Sequence, residues 1–253
     1  MKKGKCIGVF CDHKIDSETQ SVFDMIERNE GKIDILVNNA FSGLDLKRNF
    51  STTAFWEQDF VTVWEKTIDV GLRSAYIASC MALKMMVPHK SGLIVNISSI
   101  GGVKSLFNPV YGVGKQGIDR LSAEMAPSLA PYNIHVVSLW PGLVRTETMQ
   151  KIQESESGKM LKSIWHLSES VYLTGNAIAC LAQDPHISNK SGGIHFVADL
   201  SHEYGFKDID GKYATSGRSV RFFVGTCCPS MMNLVPHFFK IPTFMLAYVL
   251  SKI

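Results

Sequence analysis

Short apolar runs alternate with longer amphipathic stretches along most of this chain. The apolar runs predict five strands, at residues 6–11, 33–37, 93–97, 134–139 and 193–197. Apolar residues at helical spacing predict helices at about 17–30, 54–86 with one break allowed, 109–130 and 168–181. Such an alternation is typical of βα units, so the expected fold class is α/β with a parallel sheet.

Composition restricts the class of protein further. The chain has 253 residues, of which 45% are hydrophobic, and a formal net charge of +3. This length and hydrophobicity suffice for a buried core and exclude a disordered chain, and so small a charge gives no indication of a nucleic-acid partner. The six cysteines are too sparse for a disulfide framework and lack zinc spacing, so we predict no metal site. No apolar run near the start resembles a secretory signal, and we expect an intracellular protein.

The C-terminal stretch differs from the rest in charge. Residues 219–253 contain no Asp or Glu, while Arg221, Lys240 and Lys252 carry the whole net charge. Aromatic residues are frequent there, and Pro229, Pro236 and Pro242 interrupt any membrane-spanning helix. Residues 222–253 could therefore lie on a membrane surface. The alternative is a tail that packs over a substrate pocket or against another subunit.

One pair of residues carries chemistry at helical spacing. Tyr111 and Lys115 lie one turn apart on a predicted helix, so the phenol and the ammonium are expected to be neighbours. A nearby cation favours the tyrosinate and lowers the phenol pKa, which suits proton transfer. The Tyr-x-x-x-Lys pattern alone is common by chance. Ser99 adds a hydroxyl at the end of a strand, and ligands of parallel sheets bind at the carboxyl ends of strands.

Several short motifs together resemble one family. They are Asn38-Asn39-Ala40, Ser98-Ser99, Tyr111-x-x-x-Lys115 and Pro141-Gly142-x-x-x-Thr146. In order and spacing they are similar to the short-chain dehydrogenase/reductase family, over about residues 5–200. The resemblance implies a doubly wound, Rossmann-like sheet and hydride transfer between NADP or NAD and a carbonyl or alcohol, with a slight preference for NADPH. The cofactor supplies the hydride, and the protein supplies position and electrostatics.

The resemblance also implies a role for each site residue. Tyr111 would be the proton donor or acceptor, Lys115 would hold the nicotinamide ribose and lower the Tyr111 pKa, and Ser99 would bind the substrate oxygen. The implied cofactor-binding residues are Asp12, Asn39, Ala40, Tyr111, Lys115, Pro141, Gly142, Val144 and Thr146. An apolar pocket for a steroid-like or xenobiotic carbonyl is suggested by Leu106, Phe107, Leu143 and Trp165.

The chain departs from the family pattern in two places. Gly71 stands where many members have an Asn that relays protons behind the Lys, a role that a water or Asp69 could take. The family's opening Gly-rich turn, which approaches the cofactor pyrophosphate, has no counterpart, so the first two βα units are expected to be missing. Strand 33–37 would then have an exposed apolar edge. We therefore expect the chain alone to be unstable or inactive, and the alternative function is a non-catalytic interaction protein without cofactor.

The expected organisation follows from these observations. Residues 1–200 would form a partial Rossmann-like domain, and residues 201–253 a C-terminal extension. The resemblance implies a homo-oligomer for the full-length protein, through the helices around Tyr76 and Tyr111, and a small-molecule carbonyl as substrate. The expected location is the cytoplasm or the endoplasmic reticulum membrane.

Overall fold

A parallel sheet forms the centre of the computed structural model, which describes residues 4–43, 54–154, 159–236, 238–242 and 245. In this part of the chain four strands follow one another across the sheet in sequence order, and each neighbouring pair is parallel. They are β1 Ile35–Asn38, β2 Gly92–Ile97, β3 Ile134–Trp140 and β4 Ile194–Phe196. The predicted α/β fold with a parallel sheet is confirmed, and these strands lie close to their predicted bounds.

Helices connect the strands. They are α1 Asp16–Glu30, α2 Phe60–Trp64, α3 Ser74–His89, α4 Pro109–Leu129, α5 Glu147–Glu154, α6 Lys159–Ile164, α7 Val171–Leu181, α8 Val197–Tyr204 and α9 Val220–Cys227. A π-helical turn, Glu65–Arg73, joins α2 to α3 and contains a non-helical residue, Val70, with φ −102° and ψ 56°. The helix predicted at about 54–86 with one break allowed is therefore interrupted twice: at Val70, and at residues 58–59, between the 3₁₀ turn Phe55–Glu57 and α2.

The sheet is covered on both faces, as the doubly wound class requires. Successive residues of a strand point to opposite faces. Ile94 and Val136 pack with Ala82 and Met86 of α3 on one face. On the other face lie residues of β2, β3, α7 and α8, namely Leu93, Val95, Val137, Leu139, Leu173, Ala177, Leu181, Val197 and Leu200. The two apolar clusters make the sheet the centre of the fold.

The helical segment Phe60–His89, which includes the π-helical turn, is long and apolar enough to cross a membrane by length and composition. In the structure Ala78, Ala82 and Met86 of its second half are almost fully buried against the sheet. A core helix of a globular domain meets the same composition test, and the packing is that of a core helix.

The prediction of a strand at residues 6–11 is wrong. Residues 4–11 form neither helix nor strand, and Ile7, Val9 and Phe10 are exposed. A strand needs a neighbour for its backbone hydrogen bonds. In the described residues none pairs with this segment, so its apolar composition alone does not produce a strand.

The expected exposed edge is confirmed. Within the described sheet β1 pairs with β2 alone, and its Ile35 and Val37 side chains are 41% and 39% exposed. A groove of about 550 Å³ runs beside β1, with Phe23 and Ile26 of α1 and Ala78 of α3 among its lining residues. Unpaired strand edges of this kind invite association with other chains.

Residues beyond α8 pack back onto the sheet. Asp199 of α8 forms ion pairs with Arg218 and with Lys240, the latter at 2.6 Å. Phe223 and Ile241 pack against the Trp140–Phe196 cluster at the end of the sheet. These contacts join the described part of the extension to the first domain. The domain boundary near residue 200 stays a prediction.

Candidate active site

The site lies where three parallel strands end. Asn39 and Ala40 follow β1, Ser98 and Ser99 follow β2, and Pro141 and Gly142 follow β3. Because the strands are parallel, their carboxyl ends share one edge of the sheet, and ligands of such sheets bind there. The structure therefore gathers at one edge the motifs that the sequence distributes over more than a hundred residues.

The start of α4 positions Tyr111. The Asn108 side chain caps the helix by accepting a hydrogen bond from the Tyr111 backbone N–H at 2.8 Å, and Pro109 occupies its first turn. The Tyr111 side chain is 8% exposed and forms a hydrogen bond with Ser99. A Cβ on Gly101 would overlap the Tyr111 ring, so the loop after β2 needs glycine there to approach the phenol.

Lys115 lies one turn further along α4, as predicted. Its ammonium donates a hydrogen bond to the Ile97 carbonyl at 3.1 Å and lies 6.0 Å from the centroid of the Tyr111 ring. Burial lowers the pKa of Lys115 to about 8, and the Asp119 carboxylate opposes that decrease. The Ser98 hydroxyl donates to the Lys115 carbonyl at 3.0 Å and ties this turn to β2.

The expected decrease of the Tyr111 pKa is wrong for this structure. Burial raises the pKa of Tyr111, and the hydrogen bond with Ser99 opposes the increase only in part. The Lys115 ammonium is itself desolvated and lies beside the ring, where it does not outweigh the cost of burying a phenolate. Tyr111 is thus held as a neutral phenol.

Asp119 is a buried acid near Lys115 that the sequence analysis missed. Asp119 is 4% exposed and accepts hydrogen bonds from the Ser138 hydroxyl at 2.5 Å and from the Trp140 indole at 2.9 Å. It follows Lys115 by four residues, and this i, i+4 spacing is the signal that could have found it. Burial raises the pKa of Asp119, against the effect of these donors and of Lys115.

The loop 141–146 is held by a second buried acid. Glu169 is 2% exposed, and its carboxylate accepts a hydrogen bond from the Gly142 N–H at 3.0 Å. Its own N–H donates to the Leu143 carbonyl, and its carbonyl accepts from the Arg145 N–H, both at 2.8 Å. Burial raises the pKa of Glu169 to about 7. This clamp fixes the backbone that carries the predicted Pro141, Gly142, Val144 and Thr146 positions.

The extension reinforces the same loop. Asp208 accepts hydrogen bonds from the Ser170 N–H and hydroxyl and pairs with Arg145 at 3.2 Å. No pattern in the sequence predicted Glu169 or Asp208 near the loop, because each reaches it from a distant part of the chain. Thr146 caps the helix after the loop by accepting from the Met149 N–H at 3.2 Å.

Two predicted cofactor positions, Asn39 and Ala40, lie beside the β1 groove, and Ala40 also lines a small cavity with Lys115. Asn39 and Ala40 line this groove together with His13. Asp12, next to His13, accepts a hydrogen bond from the Lys14 N–H in its own turn. Their assignment as cofactor-binding residues stays a prediction.

Gly71 lies in the π-helical turn, and an aromatic ring fills the space beside it. A Cβ on Gly71 would lie 3.1 Å from the Phe41 ring, and Phe41 in turn lies over the Lys115 ammonium. Asp69 was considered as a substitute for the family's Asn. In the structure its carboxylate contributes instead to raising the pKa values of Lys14 and Arg73. The sequence analysis missed Phe41 because this residue directly follows the Asn38-Asn39-Ala40 motif and was not considered apart from the motif.

The residues fit one part of a nicotinamide cofactor. Lys115 has three N–H donors, and among the described residues its hydrogen-bond acceptor is the Ile97 carbonyl. The remaining donors suit the two hydroxyls of a ribose. The 253 residues contain no Thr-Gly-x-x-x-Gly-x-Gly turn for the pyrophosphate, so the fit concerns the nicotinamide and its ribose.

A doubly wound parallel sheet with Ser99, Tyr111 and Lys115 at its carboxyl edge defines a class: the oxidoreductases of the short-chain dehydrogenase/reductase type, which use NAD or NADP. Comparison with known proteins agrees. The model of the short chain dehydrogenase family matches residues 1–157, and this chain belongs to that family.

The relatives support the same assignment. Dehydrogenase/reductase SDR family member 1 of Mus musculus is 36% identical over 258 residues, which cover 98% of this chain and 82% of the mouse protein. The solved structure of 7α-hydroxysteroid dehydrogenase complexed with NADH and 7-oxo glycochenodeoxycholic acid is 24% identical and superposes with a TM-score of 0.62, over 74% of this chain and 70% of that chain. ElxO with NADP bound is 26% identical, with a TM-score of 0.63 over 74% of each chain.

Proposed function

We propose that this protein interconverts a carbonyl and an alcohol on an apolar small molecule with NADP or NAD as cofactor. The observation that carries the proposal is that Ser99, the buried Tyr111 phenol and the Lys115 ammonium lie together at the carboxyl ends of parallel strands. A hydroxyl, a phenol and an ammonium in this order can bind an oxygen, transfer a proton to it and stabilise the resulting charge.

Each of the three residues has a defined role in the proposed reaction. The nicotinamide supplies the hydride. The Ser99 hydroxyl hydrogen-bonds to the substrate oxygen, and the Tyr111 phenol donates its proton to that oxygen. Lys115 binds the ribose hydroxyls and stabilises negative charge near the phenol. Because burial raises the pKa of Tyr111, the phenol keeps its proton near neutral pH and is available as the proton donor for reduction.

The apolar surroundings of Tyr111 support the substrate class. The Phe107 ring lies 4.7 Å from the Tyr111 ring, centroid to centroid, in an edge-to-face arrangement. Of two solved structures with this fold, 7α-hydroxysteroid dehydrogenase is complexed with NADH and 7-oxo glycochenodeoxycholic acid, and ElxO has NADP bound. We propose a steroid-like or xenobiotic carbonyl as substrate, with NADPH preferred.

The first test is turnover. The purified chain is incubated with NADPH or NADH and a panel of cyclic ketones, and oxidation of the cofactor and formation of the alcohol are measured. In place of the inactivity expected from the sequence, we expect reduction of apolar ketones, because the chain brings Ser99, Tyr111 and Lys115 together at one edge of the sheet. We expect Ser99→Ala to lower kcat/KM about a hundredfold, since it removes one donor to the reacting oxygen. Ser188→Ala, in an exposed turn away from the site, is the matched control.

Binding separates the two candidate functions. A chain that binds neither cofactor in a fluorescence titration would contradict the proposal and favour the non-catalytic interaction protein. A chain that binds cofactor but reduces none of the ketones would refute the substrate class and leave the cofactor assignment in place.

We also propose that the protein contacts the surface of an intracellular membrane, such as that of the endoplasmic reticulum, and assembles as a homo-oligomer. Met231, Leu234, Phe238 and Phe239 in the described part of the extension are exposed, which supports the membrane contact. The predicted tail residues Phe244, Tyr248 and Lys252 lie outside the described residues.

The proposed homo-oligomer has support at α3. Tyr76 on this helix is exposed, which supports a subunit contact there.

Flotation with vesicles tests the membrane contact. The vesicles contain phosphatidylcholine and about one fifth phosphatidylserine, which suits a basic segment. The double variant Leu234→Ser/Phe238→Ser should lower the bound fraction about tenfold, because it removes apolar side chains that would be buried. Tyr172→Ser, which removes an exposed aromatic residue on α7, should have no such effect. Absence of the parent chain from the floating fraction would contradict the proposal.

A further inference from the structure

An aromatic ring lies against the Lys115 ammonium. The centroid of the Phe41 ring is 4.7 Å from Nζ, within the range of a cation–π contact, whereas the Tyr111 ring centroid is 6.0 Å away. Phe41 also meets Tyr111 edge to face, with 5.7 Å between ring centroids. Phe41 therefore touches both groups that the proposed reaction assigns to proton transfer.

The position of this ring depends on the absence of a side chain at residue 71. A Cβ on Gly71 would lie 3.1 Å and 3.4 Å from two atoms of the Phe41 ring, closer than most such contacts. A longer side chain such as Asn would have to displace the ring. Phe41 and Gly71 thus form a complementary pair, in which the ring takes the volume that a side chain at residue 71 would need.

The backbone after Phe41 is fixed to the π-helical turn. The Ser42 N–H donates to the Val70 carbonyl at 3.3 Å, and the Ser42 hydroxyl donates to the Lys66 carbonyl at 2.7 Å. The non-helical Val70 lies in this turn, and π-helical turns frequently occur at functional sites. These bonds hold the loop, and with it the ring, against the helix that carries Gly71.

An aromatic face suits the Lys115 ammonium in a way that a carboxylate would not. The face attracts the cation but accepts no conventional hydrogen bond from it, so the N–H donors not used by the Ile97 carbonyl stay available to a ligand. A contacting carboxylate would take those donors and neutralise the charge. Among the described residues, Asp119, one turn further along α4, and Tyr111, one turn before, are titratable groups beside Lys115.

We propose that Phe41 is a positioning residue for Lys115: its ring holds the ammonium by a cation–π contact in the space left by Gly71, and thereby aims it at the cofactor ribose and the Tyr111 phenol. In this role Phe41 acts through Lys115. The inference deepens the proposed function and rests on it for the role of Lys115, but the contact itself can be measured without turnover.

Fluorination of the ring tests the contact with little change of shape. Phe41 is replaced by pentafluorophenylalanine, which reverses the charge distribution of the ring face. The pKa of Lys115 is measured by NMR of Nζ-labelled lysine in the full chain, with the Lys115 signal assigned by its loss in Lys115→Met. We expect the pKa to fall by about one unit, since the face no longer stabilises the cation. The same substitution at Phe107, which contacts Tyr111 edge to face, should leave it unchanged.

The outcomes separate the inference from the proposed function. An unchanged Lys115 pKa with fluorinated Phe41 overturns the inference, whatever the activity of the chain. A shifted pKa in a chain that binds no nicotinamide cofactor supports the contact and overturns the proposed function instead. In an active chain the same substitution should move the alkaline limb of the pH profile of kcat/KM together with the Lys115 pKa, a change that a purely structural role would not produce.

Discussion

Replacing Tyr111 by Phe should lower kcat/KM for carbonyl reduction by about two to four orders of magnitude, the range for loss of a positioned proton donor. The substitution removes only the hydroxyl that hydrogen-bonds to Ser99. The ring, its burial and its edge-to-face contacts with Phe41 and Phe107 stay in place, so the fold and the cofactor affinity should change little. The measurement is steady-state reduction of an accepted ketone, together with a cofactor titration.

The size and specificity of this loss decide the role of Tyr111. Tyr132→Phe, which removes a phenolic hydroxyl from an exposed turn after α4, is the matched control and should retain full activity. Activity within a factor of about three of the parent for Tyr111→Phe would show that another group transfers the proton. A variant that also loses cofactor binding would instead indicate that the phenol holds the nicotinamide end.

The sequence alone predicts the sheet and the Tyr111–Lys115 pair because both are local patterns. Strands β2 and β3 are short apolar runs of six and seven residues, almost wholly buried, and each is bounded by turn residues. The Tyr–Lys neighbourhood follows from helix geometry, and Ser99 joins it because parallel strands end at one edge. These inferences need no knowledge of contacts between distant segments.

The errors and omissions come from contacts that local patterns do not encode. The run at residues 6–11 has strand composition, but a strand forms only against a neighbour, and the described residues offer it none. The direction of the Tyr111 pKa depends on burial by distant parts of the chain, which outweighs the adjacent ammonium. Glu169 and Asp208 reach the 141–146 loop from other segments, so sequence spacing gives no signal for them.

Gly71 shows why a departure from a family motif is hard to interpret in isolation. By itself it suggests a lost proton relay or a helix kink. In the structure it lies in a π-helical turn against the Phe41 ring, so residues 41 and 71 are sterically coupled. A substitution that restores a side chain at 71 alone should therefore disturb the Lys115 contact rather than repair the site.

Glu169 provides the second large effect, on stability rather than on turnover. Its carboxyl is almost fully buried, and its pKa is raised from 4.5 to about 7. Between these values the folded protein binds more protons than the unfolded chain, so the free energy of unfolding falls as the pH rises through this window. Above about pH 7 the buried carboxylate costs about 3 kcal/mol of stability relative to pH below 4.5. The protein therefore keeps a destabilising charge beside the loop that carries the predicted cofactor residues.

Glu169→Gln should remove this cost while it keeps the hydrogen bond from the Gly142 N–H, because an amide oxygen accepts as the carboxylate does. In urea titrations the variant should exceed the parent in free energy of unfolding by about 2–3 kcal/mol at about pH 8, and the difference should shrink towards about pH 5. The change of Lys115 ionisation is common to both chains and cancels in this comparison. Glu124→Gln, in an exposed pair with Arg120 on α4, should produce no comparable pH-dependent gain. Parallel stability curves of the parent and the Glu169→Gln variant from about pH 5 to about pH 8 would contradict this prediction, because they would show that the Glu169 carboxyl does not titrate within that range in the folded protein.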